Sequence, residues 1–318
     1  MSPRLGKPYA RMEVCASSPW GNPDKVTVLR TGLVRFVPRR DSGSVLIGQP
    51  VDPTIDVGKA VRNGEEVQVR LFTGTSALAP GPLTEKVEII DRILSPLSAS
   101  EVGTIRTDGA AQYANHAKEA NMALPDIPMM FMKPATALAD PWPAPIIIPK
   151  HTLQDDCADY ESELAIVIGK TCKNVSEADA LNYVLGYTAA NDVSSRKAQL
   201  AQSQACYSKG FDGSCPLGPV LVSTALVPDP SKFTIRGLKN GEVMQSEGLS
   251  DMIFDCAKLV SFLSQGTTLP PGTVILTGTP AGVGFGKKPP SYLHEGDEFV
   301  VELTPHVGSL YSVFEEEK

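Results

Sequence analysis

No stretch of the 318-residue chain approaches the roughly 20 consecutive apolar residues a membrane span needs, and the longest apolar runs, such as 164–168, have strand length. A soluble protein is therefore expected. No Cys-x-x-Cys pair links any of the six cysteines (Cys15, Cys157, Cys172, Cys206, Cys215, Cys256), so neither a disulfide framework nor a zinc site is indicated. They read as reduced thiols acting as small buried hydrophobes. A basic surplus is missing too. The net charge of −7 and pI near 5.2 argue against a phosphate-backbone partner, which would need excess lysine and arginine. Arg4, Lys7 and Arg11 are not followed by an apolar block of signal-peptide length, and Glu13 and Asp24 depart from an acid-poor transit peptide. Cytosol is the expected compartment, with mitochondria as the alternative. There is no internal repeat, no low-complexity tract, no His-Glu-x-x-His metal motif and no Gly-x-Ser-x-Gly elbow.

What is present suits a large buried core: 42% hydrophobic and 20% charged residues, enough chain for one big domain or two smaller ones. Short β-branched runs at 33–37, 44–47, 67–71 and 87–90, punctuated by Gly, Pro and Asp, predict a small N-terminal β-rich domain over 1–95. The Leu94-Ser95-Pro96-Leu97-Ser98 string reads as the linker into a larger second domain, 96–318. A helix is expected from 108 to 119, where Gln112, Tyr113, His116 and Glu119 share a face. The seven prolines of 124–149 favour extended segments and loops. A strand over 160–169, a helix over 176–185 opened by a Ser176-x-x-Asp179 capping box, and an apolar run into Asn191-Asp192 follow. Residues 252–263 read as an amphipathic helix, and 273–277 as a buried strand entering Gly278. Strands outnumber helices, which places the chain in a β-rich α+β class.

Asp159-Tyr160-Glu161-Ser162-Glu163 is the sharpest local feature. Strand side chains alternate, so Glu161 and Glu163 point the same way at the mouth of an apolar strand. Two like carboxylates losing hydration need a compensating proton or cation, and a hard cation such as Mg2+ or Mn2+ suits oxygen donors. An exposed acidic strand edge would account for the same spacing. Asp192 is the natural third ligand, although Asn191-Asp192-Val193-Ser194-Ser195-Arg196 also fits an Asx-type turn. His116 and Glu119, three apart on the expected helix, form either a carboxylate-polarised imidazole for general-base catalysis or an ordinary surface pair. The glycine-rich run 277–286 follows a strand, yet Lys287, Lys288, Pro289 and Pro290 replace the Gly-Lys-Ser/Thr and helix of a phosphate loop. It reads instead as a tight loop offering Thr279 and backbone amides to a carboxylate.

Together these segments resemble the fumarylacetoacetate hydrolase family, and their order makes the likeness specific. The pieces are Tyr113-Ala114-Asn115-His116 with Glu119, Phe131-Met132-Lys133-Pro134, the 159–164 and 191–196 motifs, the 208–219 run from Ser208-Lys209-Gly210, and the 276–284 glycine-rich segment. The resemblance covers roughly 96–303. It implies a mixed β-roll or sandwich catalytic domain joined to the small N-terminal β domain, and a homodimer. It further implies that Glu161, Glu163 and Asp192 bind one Mg2+ or Mn2+, with Ca2+ as a third candidate. Lys209 would stabilise negative charge on the substrate, and His116 with Glu119 would form the acid/base dyad on a mobile lid. Tyr113, Lys133, Arg196, Gln199 and Thr279 match positions in or near the substrate pocket. Gln112 where the family often has Asn, Ser195 for a common Ala and Lys197 for a frequent acidic residue are departures on the substrate side.

The activity this resemblance implies is metal-dependent hydrolysis or decarboxylation at a carbon–carbon bond of a small 2-oxo acid or 1,3-dicarbonyl compound. The metal would chelate two substrate oxygens and hold the enolate, Lys209 would add charge at the oxyanion, and His116 would activate water in a hydrolase or govern enol protonation in a decarboxylase. The same scaffold would serve an oxaloacetate-type enol–keto tautomerase or isomerase, or a biosynthetic enzyme. A non-catalytic binding protein would be expected to have lost the dyad or the lysine, and His116, Glu119 and Lys209 are all present.

Overall fold

The computed structural model describes residues 32–108, 112–113 and 124–318. Four strands, β1 (Val34–Pro38), β2 (Leu46–Pro50), β3 (Gln68–Phe72) and β4 (Leu83–Leu94), pair antiparallel and close on themselves as a small barrel. Beyond it, β5 (Ile105–Asp108), β6 (Met130–Lys133), β7 (Leu138–Ala139), β10 (Ser162–Ile168), β11 (Val184–Asn191), β13 (Cys215–Ser223) and β16 (Val274–Leu276) form a seven-stranded sheet in the order β6-β5-β16-β10-β11-β13-β7. A five-stranded sheet, β15-β14-β17-β18-β8, is made of β8 (Pro145–Ile148), β14 (Thr234–Lys239), β15 (Glu242–Gly248), β17 (Glu298–Thr304) and β18 (Gly308–Glu316). The pair β9 (Ala158–Asp159) and β12 (Ser194–Ser195) stands at the end of the large sheet.

The unbroken apolar run 164–168 is explained by what covers β10. Leu164, Ile166 and Ile168 enter one core shared with Phe299, Val301 and Phe314 of the five-stranded sheet, whereas Ala165 and Val167 enter a second core with Leu185, Leu217 and Leu276. A strand buried on both faces has no position for a polar residue, so alternation disappears from its sequence. Each fully buried aliphatic side chain here contributes about 1.5–3 kcal/mol relative to exposure. The barrel is not insulated from this core. Val34, Phe36, Val69 and Ile93 belong to the same cluster as Ile166, Tyr187 and Phe299. Asp56, which caps the helix Val57–Arg62, also accepts from Ser309 N (3.0 Å) and Oγ (2.6 Å), and Arg62 Nε reaches Glu298 at 2.8 Å.

The β-rich α+β class holds, with helices short and peripheral. Three expected helices differ. The capping box is in place, Ser176 accepting from Asp179 N, but the helix spans only Glu177–Ala180 and a single 3-10 turn, Leu181–Tyr183, because β11 already begins at Val184. The helix expected from 252 starts at Cys256, capped by Asp255, since Met252 bridges Tyr113 and the Ile253 amide donates to Gln112 O. The helix expected from 108 does not begin there. Asp108 ends β5 opposite Met130, Tyr113 is extended, and the stretch carrying His116 and Glu119 lies outside the described residues. Among the described residues no helix is long and apolar enough to cross a membrane.

Candidate metal centre

Antiparallel pairing of β10 with β11 does the assembly. Ser162 lies opposite Asn191 and Glu163 opposite Ala190, and the ladder continues outward as Asp192 N donates to Glu161 O at 2.9 Å. The Asn191 side chain accepts from Glu161 N at 3.0 Å, tying the two strand ends together. Glu161 and Glu163 therefore leave one face of one strand, and Asp192 arrives beside them from its partner. Carboxylate oxygens of all three lie within 4.8 Å of one another, and all three residues are buried.

Three cations converge on this trio. Lys209, the last residue of the short helix Ala205–Lys209, donates from Nζ to Glu161 Oε2 (2.6 Å) and Asp192 Oδ2 (2.7 Å), with the Phe131 ring centroid 5.2 Å from its nitrogen. Lys133 Nζ donates to Asp192 Oδ1 (2.6 Å) and Ser214 O (2.9 Å). Arg196 gives Nη1 to Glu161 Oε1 (2.7 Å) and Gln199 Oε1 (2.9 Å), and Nε to Asp159 Oδ2 (2.7 Å). Burial opposes ionisation of Glu161, but Lys209 and Arg196 outweigh it and hold its carboxyl at about 2. Lys209 is likewise held above the usual ammonium value, Asp192 and Glu161 overcoming its burial.

Glu163 is the exception. Burial first, then the charges of Asp192 and Glu161, push its carboxyl well above the usual range. Its Oε2 accepts from Gly278 N at 2.7 Å, while Oε1 is buried with no partner among the described residues. An orphaned buried acceptor beside two carboxylates is costly unless a cation or proton joins it. The donors are all oxygens, the set preferred by Mg2+, Mn2+ or Ca2+, and each oxygen of Glu161 and Asp192 keeps a second lone pair beyond its bond to lysine or arginine. The residues thus fit a hard divalent cation.

The glycine-rich loop does offer amides to carboxylates, but to the protein's own. Gly278, at φ +80°, turns its N–H to Glu163, and a Cβ there would stand 2.6 Å from the Gln112 side chain. Gly284 N and Phe285 N donate to Asp159 at 2.8 and 2.9 Å. Thr279 Oγ1 is committed as well, donating to Ser162 O (3.0 Å) and accepting from Gln245 Nε2 (2.7 Å).

Of the residues expected in or near the pocket, Arg196, Gln199 and Thr279 gather around the trio's strands, and Gln199 is only half-buried. Lys133 stands beside the trio, bonded to Asp192. It is sealed behind Asp192, because β6, the edge strand paired with β5, points alternate side chains, Phe131 and Lys133, at the centre. Tyr113 is fully buried with its hydroxyl unpartnered among the described residues, near enough for the Glu163 charge to add to burial in raising its pKa. His116 and Glu119 lie outside the described residues. Two residues escaped the sequence reading. Gln245 accepts from Ser162 N at 3.0 Å and donates to Pro280 O at 2.8 Å, stitching β15 to the strand and the loop, and nothing in its sequence context signals this. Asp159 has the same alternation parity as Glu161 and Glu163, a signal that was available.

The family description "Fumarylacetoacetate (FAA) hydrolase C-terminal" matches residues 104–314. The chain is 45% identical over 290 residues to the caffeoylpyruvate hydrolase of Neonothopanus nambi, covering 90% of this chain and 93% of that one. It is 44% identical over 193 residues to a mitochondrial oxaloacetate tautomerase of Bos taurus, a match spanning 60% of each chain. Among solved structures, the 5-carboxymethyl-2-hydroxymuconate delta-isomerase of Mycobacterium smegmatis superposes with a TM-score of 0.72 at 29% identity, over 90% of this chain and 100% of that one.

Proposed function

Because the chain belongs to the fumarylacetoacetate hydrolase family and is an enzyme of it, we propose that it hydrolyses the carbon–carbon bond of an acylpyruvate, giving a carboxylic acid and pyruvate. The observation that carries this reading is the nearly end-to-end likeness to a hydrolase whose named substrate is an acylpyruvate. The buried carboxylate trio supports it chemically.

Glu161, Glu163 and Asp192 would hold the metal, Mg2+ or Mn2+, which supplies Lewis acidity toward the oxo-acid end of the substrate. Lys209 has three N–H donors, two of them committed to Glu161 and Asp192. The third is left for the substrate oxygen that gains charge as the bond breaks, where a preorganised donor typically contributes about 3–4 kcal/mol. Arg196 presents Nη2, buried and without a partner among the described residues, to the substrate carboxylate. His116, oriented by Glu119, takes a proton from the water that attacks the acyl carbonyl. The bonding pair leaves with the methylene carbon, which is reprotonated to pyruvate.

A second reading, an oxaloacetate tautomerase, is supported by the bovine relative and needs the same lysine and dyad without the attacking water. Purified protein with MgCl2 is given acetylpyruvate and oxaloacetate, with products followed by NMR and the enol by absorbance. Acetate plus pyruvate supports the hydrolase. Faster enol decay of oxaloacetate without cleavage supports the tautomerase, and pyruvate with CO2 the decarboxylase. His116→Ala and Lys209→Ala should each remove the activity, and EDTA should do so reversibly. Full activity in EDTA-treated, metal-free protein would defeat all three. The family's implied homodimer is checked on the same sample by light scattering.

A further inference from the structure

Asp159 is completely buried, and no step above employs it. Its carboxylate accepts four hydrogen bonds: Oδ1 from Tyr160 N (2.9 Å) and Gly284 N (2.8 Å), Oδ2 from Phe285 N (2.9 Å) and Arg196 Nε (2.7 Å). The loop comes this close only as glycine, since a Cβ on Gly284 would stand 2.5 Å from Asp159 Oδ1. Three of the four donors are backbone amides, which a neutral acceptor would also serve. The negative charge matters to the fourth, the guanidinium.

The charge balance of the centre shows why. Among the described residues, the three carboxylates Glu161, Glu163 and Asp192, when ionised, are matched in number by three buried cations, Lys133, Lys209 and Arg196, which pair with Glu161 and Asp192. Without a further anion this group would be neutral and would have little electrostatic pull on a divalent cation. Asp159 is the further anion, and it lies on the edge of Arg196 away from Glu161.

We propose that Asp159 is a positioning residue that neutralises Arg196 and fixes its orientation, so that the carboxylate trio keeps a net negative charge for a divalent cation and Arg196 keeps Nη2 for the substrate. The Nε bond sets the rotation of the planar guanidinium, which places Nη1 on Glu161 and Gln199. This rests on the reading of Glu161, Glu163 and Asp192 as cation ligands.

Titration of the full-length protein with MgCl2 by calorimetry tests it through binding alone. Asp159→Asn keeps the shape and removes the charge, and Mg2+ affinity should fall about tenfold, the scale of one buried unit charge a few ångströms from the site. Arg196→Gln should tighten Mg2+ binding severalfold, because it removes a cation from the trio. The double variant should return to within about threefold of wild type, a compensation that a merely structural role for Asp159 would not produce. Unchanged affinity in folded Asp159→Asn, weaker binding in Arg196→Gln, or losses that add in the double variant would each overturn the proposal. Should Asp159→Asn fail to fold, the direction of the Arg196→Gln change still decides. Absence of saturable Mg2+ binding by wild type would instead overturn the underlying metal reading.

Discussion

The N-terminal barrel and the carboxylate end of the large sheet are built from the same material, short strands joined by tight turns, yet they place charge in opposite ways. The barrel keeps its ion pairs in water. Arg39 and Glu66 meet at 2.6 Å with side chains 47% and 56% exposed, and its interior is Val34, Phe36, Val69 and Ile93. At the end of the large sheet, Asp159, Glu161, Asp192, Lys133, Arg196 and Lys209 are all buried within one connected network of ion pairs, with the buried Glu163 beside it. Similar ion pairs therefore carry different weight. An exposed pair contributes about 0–1 kcal/mol, whereas breaking a buried one strands an uncompensated charge at about 3–5 kcal/mol. Stability of the barrel should follow apolar volume, and stability of the centre should follow charge balance and be coupled to turnover.

The strongest attempt to break this contrast is Asp192→Ala. It leaves Lys133 with only carbonyl oxygens and Lys209 with only Glu161. The expected loss in urea unfolding is about 3–5 kcal/mol, together with loss of Mg2+ binding and of turnover. A loss below about 1 kcal/mol would put these charges energetically on the surface. Next in size is Ile93→Ala in the barrel, opposite Phe36 in the β1–β4 ladder and 2% exposed. It should cost about 2–4 kcal/mol as a cavity, with Mg2+ affinity and kcat within about twofold of wild type because no charge moves. A large change in kcat would show that the shared core carries strain from barrel to centre.

The same contrast accounts for what could be read without a structure. β-Branched runs between Gly, Pro and Asp exposed β1 and the 87–90 piece of β4, but the full β4 also runs through Glu85, Lys86, Asp91 and Arg92, which look like loop residues out of context. The unbroken run 164–168 announced a strand, and the carboxylates at its mouth were visible as a pair. Lys133 was not visible as a partner of Asp192, because a lysine in a Pro- and Met-rich stretch reads as surface until β6 is seen to pair with β5. The partners of Asp159 were hidden for a related reason: they are amides of Gly284 and Phe285 and the side chain of Arg196, all distant in sequence. Local pattern reports which face a residue takes, and long-range pairing decides what it meets there.

Metal removal sharpens the comparison at a smaller scale. Saturating the wild-type centre with Mg2+ at 100 times Kd should add about 2.7 kcal/mol by mass action, read as a rise of several degrees in Tm for a chain of this size. Glu163→Gln should abolish the rise, since it removes the carboxylate that burial and its two acidic neighbours leave least satisfied. Ile93→Ala should keep the full increment from a lower starting Tm. An equal Mg2+ increment in Glu163→Gln would locate the cation elsewhere.

The smallest expected effect lies at Arg39, and it tests the contrast from the other end. Its guanidinium meets Glu66 at 2.6 Å, as short as the Lys209–Glu161 contact, so geometry alone would rank the two pairs equally. What separates them is solvent: with both barrel side chains about half exposed, water screens the attraction, holding two long side chains together costs entropy, and salt at 0.15 M screens beyond roughly 8 Å. A double-mutant cycle of Arg39→Ala and Glu66→Ala should give a coupling of about 0.2–1 kcal/mol, shrinking further when NaCl is raised to about 1 M, where the screening length falls to roughly 3 Å. A salt-insensitive coupling above about 2 kcal/mol would mean that distance, not burial, sets the worth of ion pairs in this fold, and the argument that only the buried network governs function would lose its basis.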